Sequence, residues 1–389
     1  MRRDILIVGG GIGGAVLAGL LARGGKNVLV LERSSGPTRL VRPEILALPS
    51  VKRLAALVPK FTLDEQALVP LQGVLLTHGT EVLLNAAPAI ASTGIHPFST
   101  DPARTRELLL QSGNFELQRG VEVISVLKEQ HRIIGVRARR LDSGVEEDIL
   151  AELTVGDDGA HSQVRSACGI GIRVRQFPFD FLCFGFDWPQ TFEPAVVRGC
   201  INVAELRSGI AALACMPLPA AKGAGLIPVR PRIFEDTSSA QAAFARLLDN
   251  NPQFACVVAG RRFPDDFARV RRHWGHAETY SAPGAVLIGD AAHPVSPAGG
   301  QGANMAIADA VVLAEALLSG APGALQAYER RRREANARSL SITRQTALLL
   351  SLPEWAGASL LPLGIRYGLS RADVIERGLR FISSAFEDS

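Results

Sequence analysis

The chain has 389 residues, of which 47% are hydrophobic and 21% charged, and its formal net charge is +4. These values are typical of a folded globular enzyme of about two domains and exclude general disorder. The net charge is small and the basic residues carry no interleaved aromatic side chains, which argues against a nucleic-acid partner.

Five cysteines without a CxxC pair favour reduced thiols, as in a cytoplasmic protein. The apolar residues 5–8 run into glycines at Gly9–Gly11, so we expect a buried strand there rather than a signal peptide. No apolar stretch of about 18 residues predicts a membrane span. No sequence feature indicates an oligomeric state.

The elements begin as an α/β pattern. Residues 5–8 predict a buried strand, small residues through Leu21 predict a helix, and residues 28–31 predict a second strand that ends at Glu32. Residues 70–85 and 177–280 are richer in Pro and short strands, which predicts a second, inserted sheet domain. The later predicted elements are a helix at 106–118, strands at 121–126, 133–139, 147–155 and 286–289, and helices at 303–319 and 323–349.

The first motif is Gly9-x-Gly11-x-x-Gly14, which follows a predicted strand and opens a predicted helix. This context suits a dinucleotide: the glycines allow a tight turn and close approach of the backbone to a pyrophosphate at the helix N-terminus. Glu32 lies where a carboxylate can accept hydrogen bonds from the ribose hydroxyls of an adenosine. The alternative is a glycine-rich turn that only packs a helix on a sheet.

Two further motifs follow in order. Residues 156–165 read GDDGAHSQVR, and residues 289–304 read GDAAHPVSPAGGQGAN. Together the three motifs resemble those of the single-component FAD-dependent aromatic monooxygenases, a family similar to p-hydroxybenzoate hydroxylase. The resemblance covers roughly residues 4–35, 101–176 and 281–338. It does not reach 177–280, so the sequence leaves the substrate open.

The resemblance implies an α/β fold. It combines a Rossmann-like FAD-binding domain with a parallel sheet, an inserted mixed or antiparallel β-sheet substrate domain, and C-terminal helices. The expected boundaries are 1–69, 101–176 and 281–340 for the FAD-binding domain, 70–100 and 177–280 for the substrate domain, and 341–389 for the C-terminal helical segment.

The resemblance also implies residue roles toward FAD. Asp290 would bind the ribityl chain, Asp158 would reach the pyrophosphate region and the nicotinamide cofactor, and Arg42 would contact the phosphates. Capping of a helix by Asp290, a solvated turn at Asp158 and a surface position for Arg42 stay open as alternatives. Asp157 stands where the motif more often has alanine. The expected cofactor-binding residues are Gly9, Gly11, Ile12, Gly13, Gly14, Glu32, Arg33, Arg42, Arg104 (in competition with Arg106), Asp158, Arg165, Asp290, Gly302, Ala303 and Asn304.

The third motif predicts the catalytic loop. Its glycine run lets the backbone lie against a flat ring, and the N-terminus of the following helix stabilises negative charge on a reduced flavin. Pro297 would form a rigid wall beside the ring, and His293 either orders the loop or transfers a proton. The expected catalytic residues are Pro297, Gly299, Gly300 and His293. His273-x-x-His276 lacks a third ligand at suitable spacing, so we predict no metal site.

The function implied by the resemblance is hydroxylation of an aromatic or polycyclic small molecule with NAD(P)H and O₂, through a flavin C4a-hydroperoxide. One dinucleotide fingerprint is present, so NAD(P)H would bind transiently over the same flavin. A membrane-associated quinone-precursor hydroxylase, a prenyl-lipid reductase and a flavin-binding protein without catalysis remain alternatives.

The C-terminal region leaves one question open. The basic run Arg330–Arg333 predicts a solvated helix face. The apolar segment 347–363, interrupted by Pro353 and Pro362, fits core or lid packing, a substrate entrance, or peripheral contact with a membrane.

Overall fold

The computed structural model describes residues 2–37, 41–58, 61, 67–79, 81–189, 200–205, 210, 212–297, 300–350, 368 and 371–383. Its main sheet is built on the apolar runs that predicted strands near the N-terminus. In order across the sheet, the parallel strands are β20 (Ala285–Leu287), β11 (Glu146–Gly156), β1 (Arg3–Val8), β2 (Val28–Glu32) and β8 (Glu116–Arg119).

Antiparallel strands extend this sheet. The two-residue β19 (Ser281–Ala282) pairs with β20, and the hairpin of β9 (Val121–Glu129) and β10 (Arg132–Arg140) pairs with β11. Because β1, β2, β11 and β20 are parallel, their carboxyl ends meet at one edge. The turns that follow these strands, which carry the three motifs and Glu32, therefore converge there.

The helices around the main sheet build the larger core. Gly13 lets α8 approach α1 closely, because a Cβ at this position would lie 3.2 Å from the Ala306 carbonyl oxygen. The apolar faces of both helices join the sheet in one hydrophobic cluster, which fixes the edge that carries the motifs. The helices of this part are α1 (Ile12–Arg23), α2 (Leu48–Leu57), α4 (Pro102–Ser112), α5 (Gln163–Ala167), α8 (Gly302–Leu318) and α9 (Ala324–Leu350).

A second sheet joins strands from two separated stretches of the chain, as the composition of 70–85 and 177–280 predicts. One face packs against α6 (Thr237–Asn250) in a core of its own that contains Phe184 and Phe244. In order across the sheet, the strands are β17 (Ala268–Val270), β13 (Asp180–Asp187), β16 (Lys222–Val229), β15 (Ala212–Leu218), β14 (Cys200–Glu205), β5 (Gly73–His78) and β6 (Glu81–Asn85).

Two small sheets complete the described part. One consists of β3 (Glu44–Leu46), β7 (Phe98–Thr100) and β4 (Leu68–Pro70), and the other of β12 (Ile172–Gln176) and β18 (His273–Ala277). The remaining helices are α3 (Ala87–Thr93), α7 (Ala255–Val258) and α10 (Ala372–Ser383). None of the helices in the described ranges is long and apolar enough to span a membrane. The α/β fold with a parallel sheet, a further mixed sheet and C-terminal helices confirms the predicted class.

Two local predictions were wrong. The helix expected over 106–118 ends at Ser112, because residues 116–119 form β8 and complete the backbone hydrogen bonding at the edge of β2. The basic run on α9 is not wholly solvated: Arg332 is buried because it pairs with a buried carboxylate, Asp309. Of the apolar segment 347–363, residues 351–363 lie outside the described residues.

Candidate active site

The first motif forms the turn between β1 and α1. Ile12 and Gly13 are the first residues of α1, and no side chain caps that helix end. The Gly10 N–H donates a hydrogen bond to Glu32 Oε2 at 2.9 Å, which holds the loop against the end of β2. The positive end of α1 therefore lies at the edge where the parallel strands end, a position that favours phosphate.

Glu32 carries a carboxylate that stays ionised at neutral pH. Its Oε1 accepts hydrogen bonds from the Ser34 backbone N–H and hydroxyl at 2.8 and 2.6 Å. Burial works to raise the pKa of Glu32, but hydrogen bonds from Ser34 and Gly10, together with the charge of Arg106, outweigh it and hold the pKa below its ordinary value. Such a carboxylate can accept hydrogen bonds from sugar hydroxyls.

The arginines near Glu32 are placed differently from the sequence expectation. Arg106 Nη2 donates to Ser34 Oγ at 3.2 Å. Arg104 is exposed on the first turn of α4, and Arg33 is exposed with its guanidinium turned toward β9. Of the two arginines in competition, the structure therefore brings Arg106 and not Arg104 next to the carboxylate.

Asp158 occupies the turn that follows β11. Its Oδ2 accepts hydrogen bonds from the backbone N–H groups of Gln163 and Val164 at 2.7 and 3.1 Å, at the start of α5. Its Oδ1 is buried without a partner, and burial raises the pKa of Asp158. Asp158 thus stabilises its own turn and keeps one buried oxygen for a bound group.

Arg165 ties the second motif to the third. The side chain is 5% exposed, and its two terminal nitrogens donate to the carbonyls of Ala291 and Ala160 at 2.7 and 2.8 Å. Both terminal nitrogens of the guanidinium thus donate to the protein backbone. Arg165 therefore positions the loop that carries Asp290 and does not extend toward the cofactor edge.

Asp290 follows β20 and faces Arg272, which lies just before β18. Arg272 Nη1 is 3.7 Å from Asp290 Oδ2, and the side chain of Asp290 is 35% exposed. Asp290 does not cap α8, whose N-cap residue is Gln301. Arg272 Nε is buried without a hydrogen-bond partner, and burial lowers the pKa of Arg272, which nevertheless remains cationic.

A second carboxylate belongs to this cluster. Glu44 lies at the start of β3, near Arg42 and Arg272, with its Oε1 buried and unpartnered. Burial raises the pKa of Glu44 to about 6, although the charges of the two arginines oppose the rise. The edge beside Asp290 therefore carries both arginines and carboxyl groups, and Glu44 Oε1 and Arg272 Nε have no hydrogen-bond partner among the residues that the structure describes.

His293 lies beneath the loop, in a buried polar network. It is 1% exposed, and its Nε2 contacts Asp309 Oδ2. Asp309 Oδ1 accepts hydrogen bonds from Arg332 Nε at 2.8 Å and from Asn336 Nδ2 at 3.0 Å. Of the two roles open for His293, this placement favours ordering the loop, because the ring is engaged below it.

Asn304 holds the glycine loop. Its Oδ1 accepts from the Ala47 N–H at 2.9 Å and from Ser50 Oγ at 2.6 Å, and its Nδ2 donates to the Ile45 and Gly300 carbonyls at 3.1 and 3.2 Å. The amide is thus fully used by the protein, so a positioning role fits it better than direct cofactor contact.

The rest of the third motif forms the turn before α8. The Gly300 N–H donates to the Pro297 carbonyl at 2.9 Å, and Gly300 has a φ of +63°, a conformation that favours glycine. Gly302 and Ala303 open α8. Gly299 lies outside the described residues.

The pair His273 and His276 lies on β18. His276 Nε2 is 2.7 Å from the Tyr280 hydroxyl, and burial lowers the pKa of His276 to about 4. Within the part of the chain that the structure describes, no three His, Cys, Asp or Glu side chains are grouped to hold a metal ion. His276 is therefore a neutral hydrogen-bonding group at neutral pH.

The residues at this edge fit FAD. The helix end of α1 suits its pyrophosphate and Glu32 suits its ribose. Three buried atoms without protein partners, Arg272 Nε, Asp158 Oδ1 and Glu44 Oε1, supply the hydrogen-bonding capacity that an extended polar cofactor would satisfy.

Comparison with known proteins decides the family. A family model described as an FAD binding domain matches residues 2–343. The chain belongs to this family. It is an FAD-dependent monooxygenase, as the three motifs predict, and FAD is its cofactor with NAD(P)H as co-substrate.

Individual relatives agree over most of the chain. It is 27% identical to a ubiquinone hydroxylase, UbiL, of Rhodospirillum rubrum over 90% of this chain and 82% of that protein. It is 27% identical to a rifampicin monooxygenase of Streptomyces venezuelae over 90% and 72% of the two chains. The fold is similar to that of Klebsiella pneumoniae HpxO complexed with FAD and uric acid, with a TM-score of 0.80, 21% identity, and coverage of 98% of this chain and 97% of that one.

Sequence reasoning missed several residues at the edge and beneath it. Arg272 gave no signal because it belongs to no motif, and Asp309 lies within the apolar stretch 305–314 of α8. Asp157 was noticed as a departure from the motif but had no assigned role. A buried charged residue within an apolar helix, such as Asp309, is a signal that could have led to its partner Arg332.

Proposed function

We propose that this monooxygenase hydroxylates an aromatic or polycyclic ring that lies between the second sheet and the loop at Gly300. The observation that supports the proposal most directly is the position of the segment 41–45, which contacts both β13 and the loop at Gly300. A Cβ placed on Gly185 of β13 would lie 3.1 Å from Val41, and one placed on Gly300 would lie 3.4 Å from Ile45. The segment 41–45 therefore lies next to both the sheet and the loop, and we place the substrate beside it.

The sheet face toward this space suits an apolar ring. Phe181 and Cys183 point to it from β13, with Leu226 opposite Cys183 on β16. Phe181 stacks on Phe177 with ring centroids 5.7 Å apart, and Trp274 packs at the edge of the same cluster. Aromatic and small apolar side chains bind flat rings, while a few convergent polar groups fix their orientation.

The polar groups beside this face are Arg42, Glu44, Arg272 and Asp290. We propose that Asp290 binds the ribityl chain and that Arg272 orients Asp290 and neutralises part of its charge. A phenol or an enol would find in the same cluster both a cation and a carboxylate of raised pKa. Such groups can hold or accept the proton of a substrate hydroxyl.

When bound, FAD supplies hydride transfer from NAD(P)H and the activation of O₂. The chain supplies the environment. Glu32 and the end of α1 hold the adenosine and pyrophosphate, Pro297 and Gly300 shape the loop beside the ring, and the start of α8 presents positive potential to it. His293, Asn304 and Arg165 keep that loop in place from below.

A quinone precursor is the second candidate substrate. The similarity to UbiL over 82% of its length favours it, and the rifampicin monooxygenase favours a larger polycyclic ring. Four cysteines, Cys168, Cys183, Cys215 and Cys256, are free thiols, which supports a cytoplasmic site of action.

The test is ligand-stimulated NAD(P)H oxidation by the FAD-loaded protein across phenols, quinolines, polyketide rings and quinone precursors with short prenyl chains. We expect one chemical class to accelerate oxidation and to yield a hydroxylated product. Stimulation only by prenylated quinone precursors would select the second candidate. No stimulation by any class would contradict the proposal.

A further inference from the structure

Asp157 lies directly beneath the glycine loop. It follows β11, and its backbone N–H donates to the Val8 carbonyl at 2.8 Å, so the turn is fixed against the end of β1. Its side chain reaches the start of α1, where Oδ2 accepts a hydrogen bond from the Gly14 N–H at 2.8 Å. A carboxyl group of the protein thus accepts a hydrogen bond from one of the backbone N–H groups that have no partner within the helix at this end of α1.

The glycines of the first motif make room for this side chain. A Cβ placed on Gly11 would lie 2.4 Å from Asp157 Oδ2, and one on Gly14 would lie 2.7 Å from the same atom. On the other side, a Cβ on Gly289 would lie 3.1 Å from Oδ1. The Asp157 carboxyl therefore sits where all three motifs meet.

The charges that face this carboxyl are mostly negative. Asp158 comes from its own turn and Asp290 from the third motif, while Glu32 lies on the far side of Gly10. α1 carries no charged side chain before its last turn. On α8, Asp309 is engaged by Arg332 and His293.

Burial, followed by the charges of Asp158 and Asp290, raises the pKa of Asp157 well above its ordinary value, although the hydrogen bonds from Gly14 and Gly11 oppose the rise. A pyrophosphate at the same helix end adds further negative charge. It would favour the neutral carboxyl still more strongly than the protein alone does.

We propose that FAD binds to the form of the protein in which Asp157 carries a proton, so that Asp157 sets the affinity for FAD and makes it fall as the pH rises. The sign follows from linkage. Above the pKa of Asp157 in the free protein, Asp157 takes up one proton for each FAD that binds. The dissociation constant for FAD therefore rises by up to about tenfold per pH unit. Below that pKa, the affinity is independent of this group.

The test is the dissociation constant for FAD, measured by fluorescence quenching on the deflavinated full-length protein from about pH 5.5 to about pH 9. The variants are Asp157→Asn, which imitates the protonated acid, and Asp157→Ala, which removes the carboxyl should the asparagine variant fold poorly. Asp148→Asn is the matched control, because Asp148 is exposed and pairs with Arg137 on the hairpin.

For the original protein and for Asp148→Asn, we expect FAD affinity to fall with rising pH. For Asp157→Asn and Asp157→Ala, we expect a nearly flat profile and, at the alkaline end, affinity at least tenfold above that of the original protein. Equal pH profiles for all proteins, or weaker FAD binding by Asp157→Asn at every pH, would overturn the proposal. The measurement involves no substrate, so its outcome is independent of the proposed hydroxylation.

Discussion

The two loops that border the cofactor edge are held in opposite ways. Glu32 and Asp157 carry carboxyl groups that accept hydrogen bonds from the amides of Gly10 and Gly14. The loop after β20 is held instead by buried donors, since Arg165 and Asn304 donate to its carbonyls. The first loop is thus bound through its N–H groups. The second is bound mainly through its C=O groups, and its Gly289 N–H also donates to Asp309 Oδ2 at 3.0 Å.

The difference predicts which substitutions should change the affinity for FAD and which should change the stability of the fold or the coupling of the reaction. Helix-end amides favour anions, so carboxylates beside them act directly on an anionic cofactor. Buried donors that are fully paired with carbonyls act on loop geometry and stability. We therefore expect changes at the first loop to alter FAD affinity, and changes under the second to alter folding stability or coupling.

The largest effect is expected beneath the second loop. Arg332→Met removes the cation that pairs with Asp309 at 2.8 Å in a fully buried site. Because the buried Asp309 then loses its arginine and keeps only His293 and Asn336 as side-chain partners in the described part of the chain, the free energy of unfolding should fall by about 3–5 kcal/mol. Urea denaturation measures it.

The control is the neighbouring Arg331→Met, since Arg331 is exposed and lies 3.6 Å from the half-exposed Glu315. It should cost about 0–1 kcal/mol. Equal losses for both variants would show that the buried network does not hold the loop.

The next effect belongs to the first loop. Glu32→Ala removes a charged hydrogen-bond acceptor at the ribose position, worth about 1.5–3 kcal/mol. The affinity for FAD should fall about ten- to hundredfold, with little change in turnover at saturating FAD. Glu32→Gln retains an uncharged acceptor, so its affinity for FAD should lie between those of the unsubstituted protein and Glu32→Ala. A dissociation constant for FAD unchanged in Glu32→Ala would place the ribose elsewhere.

A smaller stability effect, with a distinct functional signature, is expected at Gly300. Gly300→Val puts a β-branched residue at a φ of +63°, which costs about 1–2 kcal/mol. It also pushes against Ile45, so we expect FAD to be retained at reduced affinity, slower flavin reduction, and NAD(P)H consumption uncoupled to hydrogen peroxide. Peroxide released per NAD(P)H oxidised, with substrate present, measures the uncoupling.

Gly94→Val is the matched control, because Gly94 has a φ of +66° and open space around its Cβ position. Its backbone strain is similar, yet coupling should stay intact. If Gly300→Val kept the original coupling and reduction rate, the loop would not lie at the flavin.

The sequence predicted the fold well, and the structure brings its three motifs to one edge of the main sheet. Apolar runs of four residues at 5–8 and 28–31 predicted parallel strands, and each motif falls at the end of such a strand. The reason is local: glycines and strand-forming residues act through their own backbone geometry. The helix at 106–118 failed because pairing of residues 116–119 with β2 is a tertiary effect.

The partners of polar side chains could not be predicted. Arg332 reads as part of a solvated basic run, yet its partner Asp309 lies 23 positions earlier. For His293 the sequence left loop ordering and proton transfer open, and only the structure shows its partner Asp309. The role proposed for Asp157 depends on its hydrogen bond with the Gly14 N–H, and Gly14 lies 143 positions earlier in the chain. Such pairings depend on topology, which residue type and spacing do not reveal.

The most direct test of the account is the origin of the oxygen in the product. The FAD-loaded protein is supplied with NAD(P)H, the substrate that stimulates its oxidation, and isotopically labelled O₂, and the product is weighed by mass spectrometry. We predict a hydroxylated ring that carries one labelled oxygen atom per molecule. A product with oxygen from water, or a product without added oxygen while NAD(P)H is consumed, would contradict monooxygenation at this site.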